Sequence, residues 1–93
     1  MSRWVRVVGD GVIYTGPCLL LAILHYPSGS QKYVDIYDGL DTIAGKKFHR
    51  VRSEGKSSCE IFFGNGVTFD RGIYVDGEDP SEETTIIFEP LPE

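Results

Sequence analysis

The side chains best suited to catalysis or metal binding are two histidines and two cysteines, and their spacing argues against both roles. His25 and His49 stand apart from any Cys or Asp pattern typical of a nucleophile and its base. The sequence contains no Gly-x-Ser-x-Gly, no His-Glu-x-x-His and no phosphate-binding loop. We therefore expect a protein that is not an enzyme and that needs no cofactor or metal.

The cysteines are too few for a disulfide framework. Cys18 and Cys59 do not form a Cys-x-x-Cys motif, and each falls in an apolar stretch with strand character. This placement predicts two buried, reduced thiols. A single bridge that pins two strands together is the alternative.

Carboxylates form two groups that deserve consideration as cation sites. Asp35, Asp38 and Asp41 do not match the EF-hand spacing, which needs a closing bidentate Glu, so we interpret them as solvated turn residues. Residues 76–83 form a dense acidic stretch. A solvated loop is the favoured interpretation there, with a weak cation site or a contact to a basic partner as alternatives.

A Gly-x-Gly pattern at residues 64–66 is better explained by turn chemistry than by nucleotide binding, because no helical periodicity follows it. Asn65-Gly66 lies between apolar residues, and this pair favours a type I′ hairpin turn with positive φ at both positions. Arg71-Gly72 marks a second break before alternation resumes. We predict Asn65, Gly66 and Gly72 as structural turn residues.

Composition and charge exclude several classes of protein. The chain has 93 residues, a formal net charge of −5 and 41% hydrophobic residues, which indicates one small folded domain and argues against nucleic acid as a partner. The basic residues 46–52 alternate, so as a strand they would place Lys47, His49 and Val51 on one face and Phe48, Arg50 and Arg52 on the other. We interpret this run as a charged edge strand.

The apolar run at residues 18–24 is far shorter than the ~20 residues needed to cross a bilayer, so we expect no membrane contact. The first residues lack the apolar region of a signal peptide, which predicts a protein made in a cytoplasm.

Short β-rich segments separated by turn signals fill the chain, and none of them shows convincing helical periodicity. The predicted strands cover residues 5–8, 12–15, 18–26, 32–37, 46–52, 59–63, 67–69, 73–75 and 84–88. This pattern predicts an all-β fold, a compact antiparallel β-sandwich of jelly-roll type with eight or nine short strands in one domain, residues 1–93. Gly9-Asp10-Gly11 is compatible with a hairpin turn or with a hinge for an arm of residues 1–10, and residues 89–93 form a short tail.

The third strand is apolar on both faces, which is unusual for a small two-layer protein. Alternation places Cys18, Leu20, Ala22, Leu24 and Tyr26 on one face and Leu19, Leu21, Ile23 and His25 on the other. A strand of this kind must be covered on both faces, and in so short a chain we expect the second cover to be another subunit. We therefore expect a trimer or dimer whose interface uses Trp4, Leu19, Leu21, Ile23, Phe62 and Ile87. His25 would then lie at the rim of this interface or within it.

The order of these segments resembles small structural proteins encoded among the virion genes of tailed bacteriophages. The similarity spans residues 11–88. It rests on a strand rich in Thr and Ile near the end of the chain and on five short sequence segments, at residues 11–18, 34–39, 45–47, 66–69 and 72–76. The resemblance implies a β-sandwich subunit present in many copies on a virion, assembled in the host cytoplasm, that decorates or cements the head shell. Its implied partners are further copies of itself and the major capsid protein or other virion proteins.

Two other functions fit the same sequence. A carbohydrate- or receptor-binding module is the first, because jelly rolls often act as lectins and Trp4, Tyr14, Tyr26, Tyr33, Tyr37 and Tyr74 offer stacking faces. A tail or neck component of the same virus is the second.

Overall fold

The computed structural model describes residues 2–27, 32–52, 58–78 and 82–92, and these residues form eight β-strands and no helix. The strands are β1 (Arg3–Val8), β2 (Gly11–Thr15), β3 (Cys18–Tyr26), β4 (Tyr33–Asp38), β5 (Lys46–Arg52), β6 (Cys59–Phe69), β7 (Gly72–Gly77) and β8 (Glu83–Pro90). The predicted acidic loop lies partly outside the described residues, at positions 79–81. The described part of the chain has no helix that is long and apolar enough to span a membrane.

The strands form two four-stranded antiparallel sheets. Sheet A has the order β1-β8-β3-β6, and sheet B has the order β2-β7-β4-β5. Apart from β4 and β5, consecutive strands lie in opposite sheets, so the chain crosses between the layers at almost every turn. This strand order is that of a jelly roll, and the predicted all-β sandwich is confirmed.

The core lies between the two sheets and is built from the inward-facing residue of each alternating pair. Its members are aliphatic and aromatic side chains from both layers: Ile13, Cys18, Leu20, Ile23, Val34, Ile36, Val51, Phe69, Ile73, Val75, Ile86 and Phe88. Tyr14 packs its ring against Phe88 with the centroids 5.1 Å apart. The period-2 pattern that predicted the strands also places these residues inside.

Both ends of the sequence contribute to sheet A. Residues 3–8, expected as an arm if Gly9 acts as a hinge, form β1 and pair with β8 from Arg3 opposite Phe88 to Val8 opposite Glu83. Glu89 and Pro90, placed in the predicted tail, continue β8 and pair with β3. The Gly9-Asp10 segment is thus a tight turn that carries the chain from sheet A to sheet B.

The predicted hairpin at Asn65-Gly66 is wrong. β6 runs without a turn from Cys59 to Phe69 and pairs with β3 on both sides of this segment. Gly64 and Gly66 have φ of 58° and 98°, so these two glycines supply the left-handed backbone of a bulge. A bulge of this kind needs the same positive φ angles as a hairpin turn, and glycine adopts them without strain. The register of β3 and β6 shifts at this point, between Leu20 and Ala22.

Gly72 does follow a break, because β6 ends at Phe69 and β7 begins at Gly72. Its φ is 147°, and a Cβ atom built there would lie 2.3 Å from the carbonyl oxygen of Tyr14. Glycine is therefore required where the chain passes from sheet A to sheet B.

The basic run forms β5, which is an edge strand of sheet B and is exposed at every position except Val51. The predicted faces are wrong at Lys47 and Phe48, because a register shift occurs where β5 passes Ile36 and Tyr37 of β4. Phe48 packs against Phe63 and Phe69, with ring centroids 5.7 and 5.2 Å apart. Lys47 instead shares the outer face of the sheet with Arg50.

Candidate assembly interface

An apolar row crosses the outer face of sheet A. The registers of the three strand pairs align Trp4 of β1 with Ile87 of β8, Ile87 with Ala22 of β3, and Ala22 with Phe62 of β6. Trp4 is 68% exposed and Phe62 is 70% exposed, whereas Ala22 is buried between its neighbours. We call these four residues the apolar row. Two large aromatic side chains that remain in solvent at opposite edges of one row are typical of a contact surface.

A bulge in β3 decides which of the predicted interface residues reach this face. The register of β3 shifts between Leu20 and Ala22 relative to both of its neighbouring strands, so alternation restarts after Leu21. Ile23 consequently joins Cys18 and Leu20 in the core and is fully buried. The assignment of Ile23 to the interface is therefore wrong.

Of the other five predicted interface residues, the structure brings Trp4, Phe62 and Ile87 into the apolar row itself. Leu19 and Leu21 are half-buried and lie beside it, next to the β6 bulge. A Cβ atom built on Gly66 would lie 3.0 Å from Cδ2 of Leu21 and 3.2 Å from Cβ of Leu19. The bulge glycine thus lets β6 approach these leucines closely.

A second row, next to the apolar one, carries charges of opposite sign at its two ends. Arg6 of β1 pairs with Thr85 of β8, Thr85 with Leu24 of β3, and Leu24 with Glu60 of β6. We call these four residues the charged row. All four line a shallow groove of about 270 Å³. Arg6 also donates a hydrogen bond to Glu83 of its own chain.

Arg6, Ala22 and Glu60 also lie on this face, and none of them was among the predicted interface residues. Arg6 stands two positions after Trp4, and Glu60 stands two positions before Phe62, so strand alternation alone places each on the face of its aromatic neighbour. Strand alternation was therefore enough to predict Arg6 and Glu60 on this face. The position of Ala22 on this face could not be predicted without the β3 bulge, and the residue pattern does not reveal that bulge.

The outer face of sheet B is polar and differs sharply from that of sheet A. Asp35 is buried and accepts hydrogen bonds from Arg50, Nε to Oδ1 at 2.8 Å and Nη2 to Oδ2 at 3.2 Å, while Nζ of Lys47 lies 3.2 Å from Oδ2. Burial on its own raises the pKa of Asp35, but the hydrogen bonds from Arg50 and Lys47 outweigh it and hold that pKa below its ordinary value. The basic edge strand is therefore neutralised in part by an acid of its own sheet.

Two neighbours of this ion pair are harder to ionise. Burial, and then the nearby charge of Asp10, raise the pKa of Asp76, which lies opposite Asp35 in the sheet. The same two causes raise the pKa of Tyr74. These shifts share their causes, which are burial and the crowding of carboxylates around Asp76.

The aromatic side chains considered for sugar stacking do not form one platform. Tyr14 packs in the core, and Trp4 and Tyr26 lie on sheet A. Tyr37 and Tyr74 meet on the outer face of sheet B with ring centroids 6.3 Å apart. Tyr33 also belongs to sheet B, but the guanidinium of Arg50 covers its ring at 3.9 Å.

His25 lies in the interior and not at a rim. Its Nε2 is 2.5 Å from Oε1 of Glu82, and both side chains are fully buried. The bulge that turns Ile23 inward also turns His25 inward, so the prediction failed for the same reason.

The three aspartates considered for calcium have separate structural roles. Asp35 holds the ion pairs described above. Asp38 accepts hydrogen bonds from the backbone N–H groups of Asp70 and Arg71, and Asp41 accepts them from those of Ile43 and Ala44. Among the described residues, no group of three or more His, Cys, Asp or Glu side chains is arranged to hold a metal ion.

Both cysteines are free thiols, but only Cys18 is buried as predicted, because Cys59 is half-buried. Cys18 pairs with Phe69 and Cys59 pairs with His25, so they occupy opposite ends of the β3–β6 pair, roughly 20 Å apart along the strands. A disulfide needs Cα atoms within about 7 Å, which excludes a bridge within the chain.

No protein-family model matches the chain, and no curated protein or solved structure is significantly similar to it.

Proposed function

We propose that this chain is a non-enzymatic structural protein of a tailed-phage virion, a subunit that decorates or cements the head shell through the outer face of sheet A. The observation that carries the assembly role is the apolar row, with Trp4 and Phe62 each about two-thirds exposed at its ends. The assignment to a phage virion rests on the resemblance, described above, between short sequence segments of this chain and structural proteins of tailed bacteriophages.

The physical requirements of such a subunit agree with this arrangement. A decorating protein must bury apolar surface against its neighbours, and each contact is allowed to be weak because many copies act together. One sheet face carries the apolar row, and the other carries the ion pairs of Asp35 with Arg50 and Lys47. A net charge of −5 keeps the remaining surface well hydrated.

The test is binding of the purified chain to empty heads of the phage that encodes it, followed by co-sedimentation. We expect Trp4→Ser and Phe62→Ser each to weaken binding by about tenfold or more, because each removes a large apolar contact. Both side chains are exposed, so the variants should fold normally.

Two controls separate an interface effect from a general one. Val12→Ser removes an exposed apolar side chain from sheet B and should leave binding unchanged. Ile23→Val removes one methyl group from the core side of β3. It should lower stability while leaving binding of the folded protein intact. If Trp4→Ser and Phe62→Ser bind heads as the unaltered chain does, the proposed surface is the wrong one.

A carbohydrate-binding module is the second candidate, favoured by one observation. Tyr37 and Tyr74 pack edge to face beside Asp76 on the outer face of sheet B, which places aromatic rings next to a carboxylate. A sugar-dependent rise in melting temperature that is lost in Tyr37→Ala would favour this candidate over the virion role.

A further inference from the structure

We propose that the outer face of sheet A binds a second copy of this chain, about a two-fold axis that lies between the two faces and parallel to the strands. The proposal deepens the assembly role given above and rests on it. The same face serves the two contacts in turn: a second copy covers it in the free protein, and the head shell takes the place of that copy on assembly. It names the partner and the geometry of the contact.

The strand order makes this symmetry self-complementary. A two-fold axis parallel to the strands reverses the order β1-β8-β3-β6 and keeps each row at its own level. β1 of one copy then faces β6 of the second copy, and β8 faces β3. Two such sheets pack with their strands nearly aligned, which is the common arrangement for stacked sheets.

The apolar row matches its own reversed copy. Trp4 faces Phe62 of the second copy, so an aromatic pair forms at each end of the contact. Ile87 faces Ala22 of the second copy, which sets a branched side chain against a small one at the centre. The row therefore buries its two most exposed residues, Trp4 at 68% and Phe62 at 70%.

The charged row matches itself in the same way. Arg6 stands at the β1 end of this row and Glu60 at the β6 end, so the reversal places Arg6 of each copy opposite Glu60 of the other. Arg6 already contacts Glu83 of its own chain, and its side chain is still 51% exposed. In the pair, one cation therefore lies between two carboxylates. A two-fold axis perpendicular to the strands would place β1 over β1 and would bring no opposite charges together.

The size of the face sets the strength of the contact. Four strands about 4.8 Å apart span roughly 19 Å, and the six residues of β1 extend about 20 Å, which gives a flat footprint of roughly 400 Å² per copy. Such a contact lies at or below the lower limit of stable interfaces. We therefore expect a dimer that dissociates on dilution through the micromolar range.

The decisive experiment is a charge exchange between Arg6 and Glu60, read by sedimentation equilibrium. Arg6→Glu and Glu60→Arg should each weaken self-association by about tenfold or more, because each homodimer then holds two like-charge contacts. An equimolar mixture of the two variants should restore the dimer, since every contact in the mixed pair again joins opposite charges. Lys46→Glu, a charge reversal on the edge strand of sheet B, should leave the dimer intact.

Trp4 supplies a second readout, because it is the only tryptophan in the chain. Its emission should shift to shorter wavelength as the concentration of the unaltered chain rises, and should not shift in Arg6→Glu alone. Unfolding would also leave Trp4 in water, so a cooperative thermal melt of Arg6→Glu is the control that separates loss of pairing from loss of folding.

The outcomes also separate this proposal from the virion role. A mixture of the two variants that stays monomeric, or an unaltered chain that stays monomeric at high micromolar concentration, overturns the two-fold pairing. If that monomer still sediments with empty heads in a Trp4-dependent way, the proposed function stands without the dimer. A dimer restored by mixing that does not bind heads supports the pairing and contradicts the virion role.

Discussion

Nε2 of His25 and Oε1 of Glu82 lie 2.5 Å apart in a part of the sandwich that excludes solvent from both side chains. His25 is on β3 and Glu82 immediately precedes β8, so the contact joins two neighbouring strands of sheet A at the end where their pairing stops. Removing one member of a buried polar pair is strongly destabilising, because the other member stays buried without that partner.

We expect His25→Leu to lower the free energy of unfolding by about 3–5 kcal/mol, because it leaves the Glu82 carboxyl group buried without its histidine. Chemical denaturation measures the change. Glu83→Gln is the matched control, since Glu83 forms a partly exposed ion pair with Arg6 and should cost less than about 1 kcal/mol. Equal costs for the two variants would show that burial of the His25 pair contributes nothing.

Thr84→Val should leave stability unchanged or raise it by about 1 kcal/mol. The hydroxyl of Thr84 is buried, and the described residues offer it no hydrogen-bond partner. Valine has nearly the same shape and removes the polar atom. Thermal unfolding gives the comparison, and a loss of more than 1 kcal/mol would reveal a partner for the hydroxyl.

Asp35→Asn should destabilise the protein by about 2 kcal/mol at neutral pH and by much less in acid. The folded-state pKa of Asp35 lies below its ordinary value, so the carboxylate contributes stability above the unfolded pKa of about 3.9, and this contribution is lost as the pH falls through the lower folded value. The measurement is the difference in unfolding free energy between the two proteins from pH 7 to pH 2. A difference that grows on acidification would contradict the assignment.

Cys18 should resist thiol reagents in the folded protein. Burial, and then the nearby charge of Asp38, raise the pKa of the Cys18 thiol to about 11, so the reactive thiolate is scarce at neutral pH. Titration with a chromogenic disulfide should modify one cysteine at most until denaturant is added, and Cys59→Ser should then show no fast reaction. Rapid labelling of Cys18 in Cys59→Ser would mean that the β3–β8 layer opens readily.

Most of the strands could be predicted from the sequence, because alternating apolar residues and turn residues report directly on a two-layer β fold. β3 and β5 were predicted at the bounds observed. The bulges were not predictable in this way. A bulge inserts one residue into a strand and inverts every later side chain, and only the neighbouring strands reveal where it occurs. Ile23 and His25 were misplaced for that reason.

The Asn65-Gly66 segment shows a different limit. Its residues permit positive φ, and a hairpin turn is the commonest use of such a pair, but the same backbone also forms a bulge within one long strand. The residue types therefore predicted where the backbone departs from a regular strand. They did not predict that the chain continues in the same direction, because that depends on pairing with β3 on both sides of the segment. The apolar row was predictable residue by residue, apart from Ala22, but its alignment across four strands was not.

The interruption of β6 at Gly64 and Gly66 also limits polymerisation. β6 is an edge of sheet A, and an extended strand from another molecule that tried to add to this edge would meet left-handed backbone in the middle and lose its hydrogen-bonding register. β5, one of the two edge strands of sheet B, carries exposed cationic side chains that discourage the same kind of pairing. One edge of each sheet therefore resists the addition of an extended strand, which is the step by which cross-β fibrils grow.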